Sequence, residues 1–95
     1  MKSYQKLIFR LHALSRMAQR GFEPGEIRNS LEHGRVVEEY PEDFPYPNFL
    51  MMLWLGQRPV HVVAANNDDD SETIIITVYE PDPLKWNSDF TRRTS

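Results

Sequence analysis

The run "FLMMLWL", residues Phe49–Leu55, constrains the fold of this chain more than any other segment. Every residue in it is apolar. If the segment is a strand, both of its faces are apolar, which is typical of a strand in the interior of a sheet. It is far shorter than the ~20 residues that are needed to span a bilayer. The run therefore predicts a sheet in which Phe49–Leu55 is an interior strand.

Two short helices are predicted ahead of this strand, in residues 11–33. In "RLHALSRMAQRG" the apolar residues fall on one side at about 100° per residue; they are Leu11, Leu14, Met17 and Ala18. Gly21 follows at a C′ position, which ends a helix. Pro24 suits the first position of a second helix, Ile27 and Leu31 are four residues apart on one face, and Gly34 stops it.

Further strands are predicted on both sides of Phe49–Leu55. They are "RVVEEY", "VHVVAAN" (Val60–Asn66) and "TIIITVYE" (Thr73–Glu80), separated by the loop "PEDFPYPN" and the turns "GQRP" and "NDDDSE". "KLIF" near the start is either a first strand or the lead-in to the helix. This order predicts an α+β fold, with two N-terminal helices packed on one face of an antiparallel sheet of about four strands.

The alternation of the last two strands predicts their register. Even-numbered residues are apolar in both, and because antiparallel partners share a face, even residues pair with even residues. The even face is expected under the helices, with His61 on the other face, opposite Thr77 or Tyr79. The predicted core is Leu14, Met17, Ile27, Leu31, Leu53, Val62, Ile74, Ile76 and Val78.

Length and composition predict a single domain over residues 1–95, with an ordered core over about residues 5–86 and a mobile tail over 87–95. The chain contains no cysteine, which excludes disulfides and thiolate metal sites. The N-terminus lacks the apolar segment of a signal peptide. These features predict a cytoplasmic protein without a membrane segment.

The charge is distributed unevenly along the chain. The net charge is −3 overall, but residues 1–35 carry seven Lys and Arg against three Glu, a net of +4, and residues 36–95 carry four against eleven acidic residues, a net of −7. The overall charge argues against avid, non-specific binding of nucleic acid. The basic N-terminal third is a hint of contact with nucleic acid or an acidic partner. Ordinary solubilising charge on short helices explains it equally well.

Several motifs together resemble a known family. They are the helix "HALSRMAQRG", the proline-rich acidic loop, "RPVHVV" and "ITVYEPDPLKW", and they extend from about His12 to Trp86. The chain resembles an uncharacterised bacterial family defined only as a domain of unknown function, which is remotely similar to RelE-like toxins. That resemblance implies a RelE-like fold, a YgiT-type zinc-finger partner similar to an antitoxin, and action as a metal-independent mRNA endonuclease.

Cleavage of RNA without a metal needs a base, a cation that stabilises the phosphorane, and an acid. His is suited to proton transfer and Arg to binding phosphate. The candidate catalytic residues are His12, His61 and Tyr79, and the candidate binding residues for phosphate or an acidic partner are Arg16, Arg20, Arg92 and Arg93. No metal ligand set and no cofactor are predicted, and the acidic "NDDDSE" is interpreted as a solvated turn rather than a calcium loop.

Structural interpretations of the same residues stay open. His12 and His61 are explained equally by local hydrogen bonding and packing. Arg16 and Arg20 are explained by exposure to solvent or by ion pairs with Glu38 and Glu39. His12, Arg16 and Arg20 share one helix face, which favours binding over catalysis. The sequence thus leaves two functions, a toxin-like ribonuclease and a non-catalytic protein-binding or regulatory module.

Overall fold

The computed structural model describes residues 6–94 as an α+β domain in which two helices cover one face of a sheet. The strands are β1 (Lys6–Phe9), β2 (Arg35–Tyr40), β3 (Asn48–Leu55), β4 (Arg58–Asn67) and β5 (Glu72–Tyr79). The helices are α1 (Leu11–Arg20) and α2 (Pro24–Ser30), and short 3-10 turns occupy Leu31–His33 and Asp68–Asp70.

The sheet has five strands in the order β1-β5-β4-β3-β2. Strands β2 to β5 form the predicted antiparallel meander. The prediction of a purely antiparallel sheet of about four strands is wrong, because β1 adds a fifth strand parallel to β5. The two helices connect β1 at one edge of the sheet to β2 at the other edge. The meander then runs back across the sheet from β2 to β5, which is the neighbour of β1. The last strand of the meander therefore arrives beside β1 in the same direction.

Strand β3 is an interior strand, as its apolar sequence predicts, and lies between β4 and β2. Met51 and Leu53 contribute to the core beneath the helices, on what we call the helix face of the sheet. Leu50 and Met52 are buried on the opposite side. Because successive side chains of a strand alternate between faces, burial of all these residues requires that both faces of the sheet are covered.

Helix α1 buries fewer side chains against the sheet than the sequence predicts. Ala13 and Met17 are buried, whereas Leu14 is 36% exposed and Leu11 is 84% exposed, so the placement of Leu14 in the core is wrong. The amide of Arg10 donates to the carbonyl of Ile75. This bond ties the start of α1 to β5 and sets its rotation, which periodicity alone does not specify.

Gly21 ends α1 as predicted, with a φ of 74°. The amide of the next residue, Phe22, donates to the carbonyl of Met17 at 2.9 Å. This is a Schellman-type cap, and the contact between these two apolar side chains accompanies it. Phe22 is buried and extends the core of the helix face.

A β-bulge in β5 overturns another part of the predicted core. The expected register holds at His61–Tyr79 and Val62–Val78, but it shifts beyond the Val63–Thr77 pair so that Ala64 pairs with Ile75. Ile76 occupies the bulge. The core residue is therefore Ile75, which is fully buried, and the predicted Ile74 and Ile76 are only partly buried. The extra residue exchanges the faces of everything before it in the strand.

Residues 84–94 fold into a C-terminal hairpin over the face opposite the helices, which we call the hairpin face. The hairpin closes through Asn87 N–H to the Arg92 carbonyl at 2.8 Å and Thr94 N–H to the Lys85 carbonyl at 2.9 Å. The side chain of Asn87 also accepts the amide of Thr91. Trp86 is buried against the sheet. The mobility of residues 87–95 stays a prediction.

Candidate functional site

Five protic side chains gather on the hairpin face, and we refer to them as the Glu38–Arg93 cluster. They are Glu38, Tyr40, His61, Tyr79 and Arg93. Strands β2, β4 and β5 and the hairpin each contribute to it. In β2, Glu38 lies opposite Leu50 and Tyr40 opposite Asn48. Because residues two apart in a strand share a face, Glu38 and Tyr40 both reach the cluster.

Arg93 binds Glu38 with two nitrogens. Its Nε lies 2.9 Å from Glu38 Oε2 and its Nη2 lies 3.2 Å from Glu38 Oε1. The guanidinium also lies over the Trp86 ring, 4.7 Å from the centroid. The hydrogen bonds from Arg93 lower the pKa of Glu38, and Glu38 raises the pKa of Arg93. Both groups are therefore charged at neutral pH, and the fork geometry orients them rigidly.

Tyr40 donates its hydroxyl to Glu38 Oε1. Burial raises the pKa of this phenol, and the hydrogen bond to the carboxylate raises it further. Tyr40 therefore stays protonated at neutral pH. Its hydroxyl shares Oε1 of Glu38 with Nη2 of Arg93.

His61 lies beneath the hairpin and is fully buried. Its Nε2 is 2.9 Å from the carbonyl of Phe90. Since a carbonyl only accepts, Nε2 carries the proton and Nδ1 has the free lone pair. Nδ1 is buried without a hydrogen-bond partner in the part of the chain that the structure describes. Burial lowers the pKa of His61, so the ring is neutral.

Aromatic rings enclose His61 on the hairpin face. Trp86 meets it edge-on at 4.4 Å between centroids, and Tyr79 does so at 5.6 Å. Burial raises the pKa of Tyr79, while the charges of Arg93 and Glu38 shift it in opposite directions. Tyr79 is therefore a protonated phenol within electrostatic range of both charged residues. The prediction that His61 lies opposite Tyr79 or Thr77 is confirmed, with Tyr79 as the partner.

Of the predicted stripe on α1, His12 and Arg16 do not join this cluster, whereas Arg20 lines a cavity together with Tyr79 and Glu80. His12 and Arg16 are exposed on the helix, which packs on the helix face. The sheet thus lies between His12 and His61, and the two histidines do not converge. Arg20 donates from Nη1 to the carbonyl of Val78 at 2.7 Å, which ties the end of α1 to β5. The suggested ion pair of the stripe with Glu38 is wrong, because Glu38 binds Arg93.

Arg58 holds the same end of α1 from the other side. It donates from Nη2 to the Arg20 carbonyl at 3.0 Å and from Nη1 to the Gly21 carbonyl at 3.2 Å. It also pairs with Glu80 at 2.6 Å and lies over the Phe22 ring. These contacts satisfy the carbonyls that a helix end leaves free, and they give Arg58 a structural role.

Of the residues predicted from sequence, the structure brings His61, Tyr79 and Arg93 together. Arg92 is exposed next to Arg93, beside a cavity at the start of β2. Sequence reasoning missed Glu38 and Tyr40 as members of the site. Their two-residue spacing in a strand was a usable signal, but the register of β2 shifts between Val36 and Glu38, so alternation could not show which face they share.

The fold and the cluster define a small α+β domain with a polar site beneath a C-terminal hairpin. The profile of the family described as "Domain of unknown function (DUF4258)" matches residues 9–80, so the chain belongs to this family. The predicted membership in an uncharacterised domain family is thereby confirmed. No curated protein and no solved structure matches the chain significantly.

Among residues 6–94 no group of three or more His, Asp or Glu is placed to hold a metal ion. None of the helices described is long and apolar enough to cross a membrane.

Proposed function

We propose that this protein is a metal-independent endoribonuclease whose active centre is the Glu38–Arg93 cluster. The observation that carries the proposal is that a carboxylate, a guanidinium and a protonated phenol share one face of the sheet, beside a neutral histidine. RNA cleavage needs a base, a phosphate-binding cation and an acid. The cluster offers one group for each of these roles.

The roles follow from charge and exposure. The Arg93 and Glu38 side chains are 52% and 25% exposed, so a phosphodiester reaches them with the hairpin in place. When the phosphate binds Arg93, it replaces the Glu38 carboxylate as the anion that the guanidinium contacts. Glu38 then loses the hydrogen bonds from Arg93, which are the main cause of its lowered pKa, and it becomes a stronger base.

In the proposed step, Glu38 removes the proton of the 2′-hydroxyl while the 2′-oxygen forms a bond to phosphorus. The bond between phosphorus and the 5′-oxygen breaks, and the departing oxygen takes the phenolic proton of Tyr79. The products are a 2′,3′-cyclic phosphate and a 5′-hydroxyl end. Proton transfer through water from Glu38 to Tyr79 then restores both groups. His61 is a positioning residue that supports Tyr79 and Trp86 from behind.

The test is incubation of the purified protein with single-stranded RNA in the presence of EDTA, followed by analysis of the product ends. We expect cyclic phosphate ends. Arg93→Gln removes the phosphate clamp and is expected to reduce the rate by about 10²-fold or more. Glu38→Gln removes the base and is expected to reduce it by about 10²–10⁴-fold.

Arg28→Gln is the matched control, because Arg28 is exposed on α2 over the helix face. Its rate should equal that of the wild type, and all variants should retain their circular dichroism spectra. An inactive wild-type protein, or full activity in both Glu38→Gln and Arg93→Gln, overturns the proposal. The resemblance to RelE-like toxins adds a biological expectation, which is growth arrest on induced expression.

A second proposed function, docking of a protein partner, is favoured by the exposed side of α1. Leu11, Leu14 and Ala18 follow one another at i, i+3 and i+7, and all three are exposed. His12 and Arg16 are exposed on the other flank of this helix. An apolar stripe beside cations suits an acidic amphipathic segment of a partner. The resemblance suggests that a YgiT-type zinc-finger protein carries that segment.

The docking proposal is tested by titrating a YgiT-type zinc-finger protein from the same genome into the purified protein in a calorimeter. Leu14→Asp and Arg16→Glu are each expected to weaken binding at least tenfold by placing an acidic charge on the surface that meets an acidic segment. Leu84→Asp on the hairpin is the matched control, since Leu84 is 86% exposed. Equal weakening by all three variants, or by none, argues against docking at α1.

A further inference from the structure

A cavity of about 210 Å³ lies between the start of β2 and the turn of the C-terminal hairpin. Its lining is Arg35, Val36, Val37, Asp89, Thr91 and Arg92. Arg35 lies opposite Met52 in the sheet, and Met52 is opposite His61. Arg92 directly precedes Arg93. The cavity therefore adjoins the Glu38–Arg93 cluster on the hairpin face.

The two arginines of this cavity are free to bind a ligand. Both are exposed, and neither forms an ion pair within residues 6–94. The only carboxylate in the lining, Asp89, already accepts the hydroxyl of Thr91 at 2.6 Å and the amide of Thr91 at 3.2 Å. The lining thus carries two positive charges against one negative charge, and that carboxylate is hydrogen-bonded within its own turn and lies within electrostatic range of Arg35.

The opposite end of the same strand has the reverse charge. A cavity of about 310 Å³ there is lined by Glu39 and Asp68, with prolines, asparagines and Phe49. Glu39 lies between Glu38 and Tyr40 in β2 and pairs with Phe49, so its side chain is on the helix face. Of these two cavities, the basic one at Arg35 is therefore the one that adjoins the cluster, and its charge attracts a polyanion.

We propose that the cavity at Arg35 and Arg92 is a phosphate subsite, which binds the phosphodiester next to the one held by Arg93. This inference rests on the proposed ribonuclease function and identifies how that site holds a single-stranded RNA. Planar guanidinium groups bind phosphate oxygens through paired N–H donors. Consecutive arginines in the hairpin, Arg92 and Arg93, then contact consecutive phosphates of the strand.

The experiment measures binding of a fluorescently labelled, 2′-O-methylated RNA oligonucleotide, which the proposed reaction does not cleave, by anisotropy at several salt concentrations. Each phosphate contact contributes about 0.7 to the slope of log K against log salt for a single strand. Arg35→Gln and Arg92→Gln are each expected to reduce that slope by about 0.7. Asp89→Asn is expected to tighten binding, because it removes the negative charge of the lining.

Arg28→Gln on the helix face is the control and should leave the slope unchanged. If the wild type binds and cleaves RNA but neither Arg35→Gln nor Arg92→Gln alters the slope, the subsite is refuted and the ribonuclease proposal stands. If the slope falls as expected in a protein that never cleaves RNA, the subsite stands and the ribonuclease proposal fails. A wild-type protein without affinity for the oligonucleotide overturns both.

Discussion

At the scale of single residues, His61 shows how its surroundings define a side chain's chemistry. One ring nitrogen donates to the Phe90 carbonyl, and the other is buried without a partner among the residues described. A protonated ring would place a positive charge in this apolar enclosure, next to Trp86 and Tyr79. The structure therefore selects one tautomer and the neutral form.

The burial of His61 predicts a specific dependence of stability on pH. Because its pKa is lower in the folded protein than the ordinary value near 6.5, the unfolded chain binds more protons below that value. The free energy of unfolding should be constant above pH ~7 and should fall as the pH decreases through 6.5. Urea unfolding between pH 5 and 8 measures this. In His61→Gln the slope in this range should disappear, and a slope equal to that of the wild type would contradict the prediction.

Arg58 gives a second prediction at this scale. Arg58→Ala leaves the carbonyls of Arg20 and Gly21 without their charged donor and removes the cation over Phe22. We expect a loss of about 1–2 kcal/mol in the free energy of unfolding. Glu80→Gln is the matched variant, since it weakens only the exposed ion pair and should cost less than ~1 kcal/mol. Equal losses in a thermal unfolding experiment would show that the ion pair, rather than the carbonyl contacts, matters.

At the scale of elements, β5 shows that one extra residue decides which side chains form the core. The bulge at Ile76 places Ile75 among the core residues of the helix face, together with Val62 and Val78. Strict alternation assigns that position to Ile76 instead. Because of this extra residue, the side chains that precede the bulge in β5 lie on the faces opposite to those that regular alternation predicts.

The bulge predicts unequal costs for two neighbouring truncations. Ile75→Ala removes a fully buried side chain and should reduce the free energy of unfolding by about 2–5 kcal/mol. Ile76→Ala acts at a partly buried position and should cost about 1 kcal/mol. Urea denaturation of both variants at one pH measures the difference. A larger loss in Ile76→Ala would mean that the sheet follows the regular alternation.

At the scale of the whole molecule, the C-terminal hairpin completes the fold by covering the second face of the sheet. Trp86 contacts His61, and Phe90 meets Trp54 edge-on at 6.0 Å. Arg93 joins the end of the hairpin to β2 through Glu38. The hairpin therefore both shields Leu50 and Met52 and supplies a charged residue to the candidate site.

This dual role predicts that the tail contributes to global stability. Trp86 is only 5% exposed, so Trp86→Ala should cost about 3–5 kcal/mol in the free energy of unfolding and should increase binding of a hydrophobic dye. Lys85→Ala next to it is the control, because Lys85 is exposed and should be nearly neutral. A loss below ~1 kcal/mol for Trp86→Ala would mean that the hairpin contributes little to the stability of the fold.

The sequence by itself determined the class of the fold and the order of most elements. Local patterns suffice for these features: the helical spacing of Leu14 and Met17, the C′ position of Gly21, and the doubly apolar run of β3 depend only on neighbouring residues. The same patterns assigned the interior position of β3 correctly. His61, Tyr79 and Arg93 were also available as candidates, because their chemistry is visible in their residue types.

Only the tertiary structure decided how these elements face one another. The rotation of α1, the bulge in β5 and the parallel pairing of β1 depend on contacts between residues far apart in sequence, such as Arg10 with Ile75. The Glu38–Arg93 pair joins positions 55 residues apart. Local periodicity carries no information about such pairs, because it specifies which side of an element is apolar but not what that side meets.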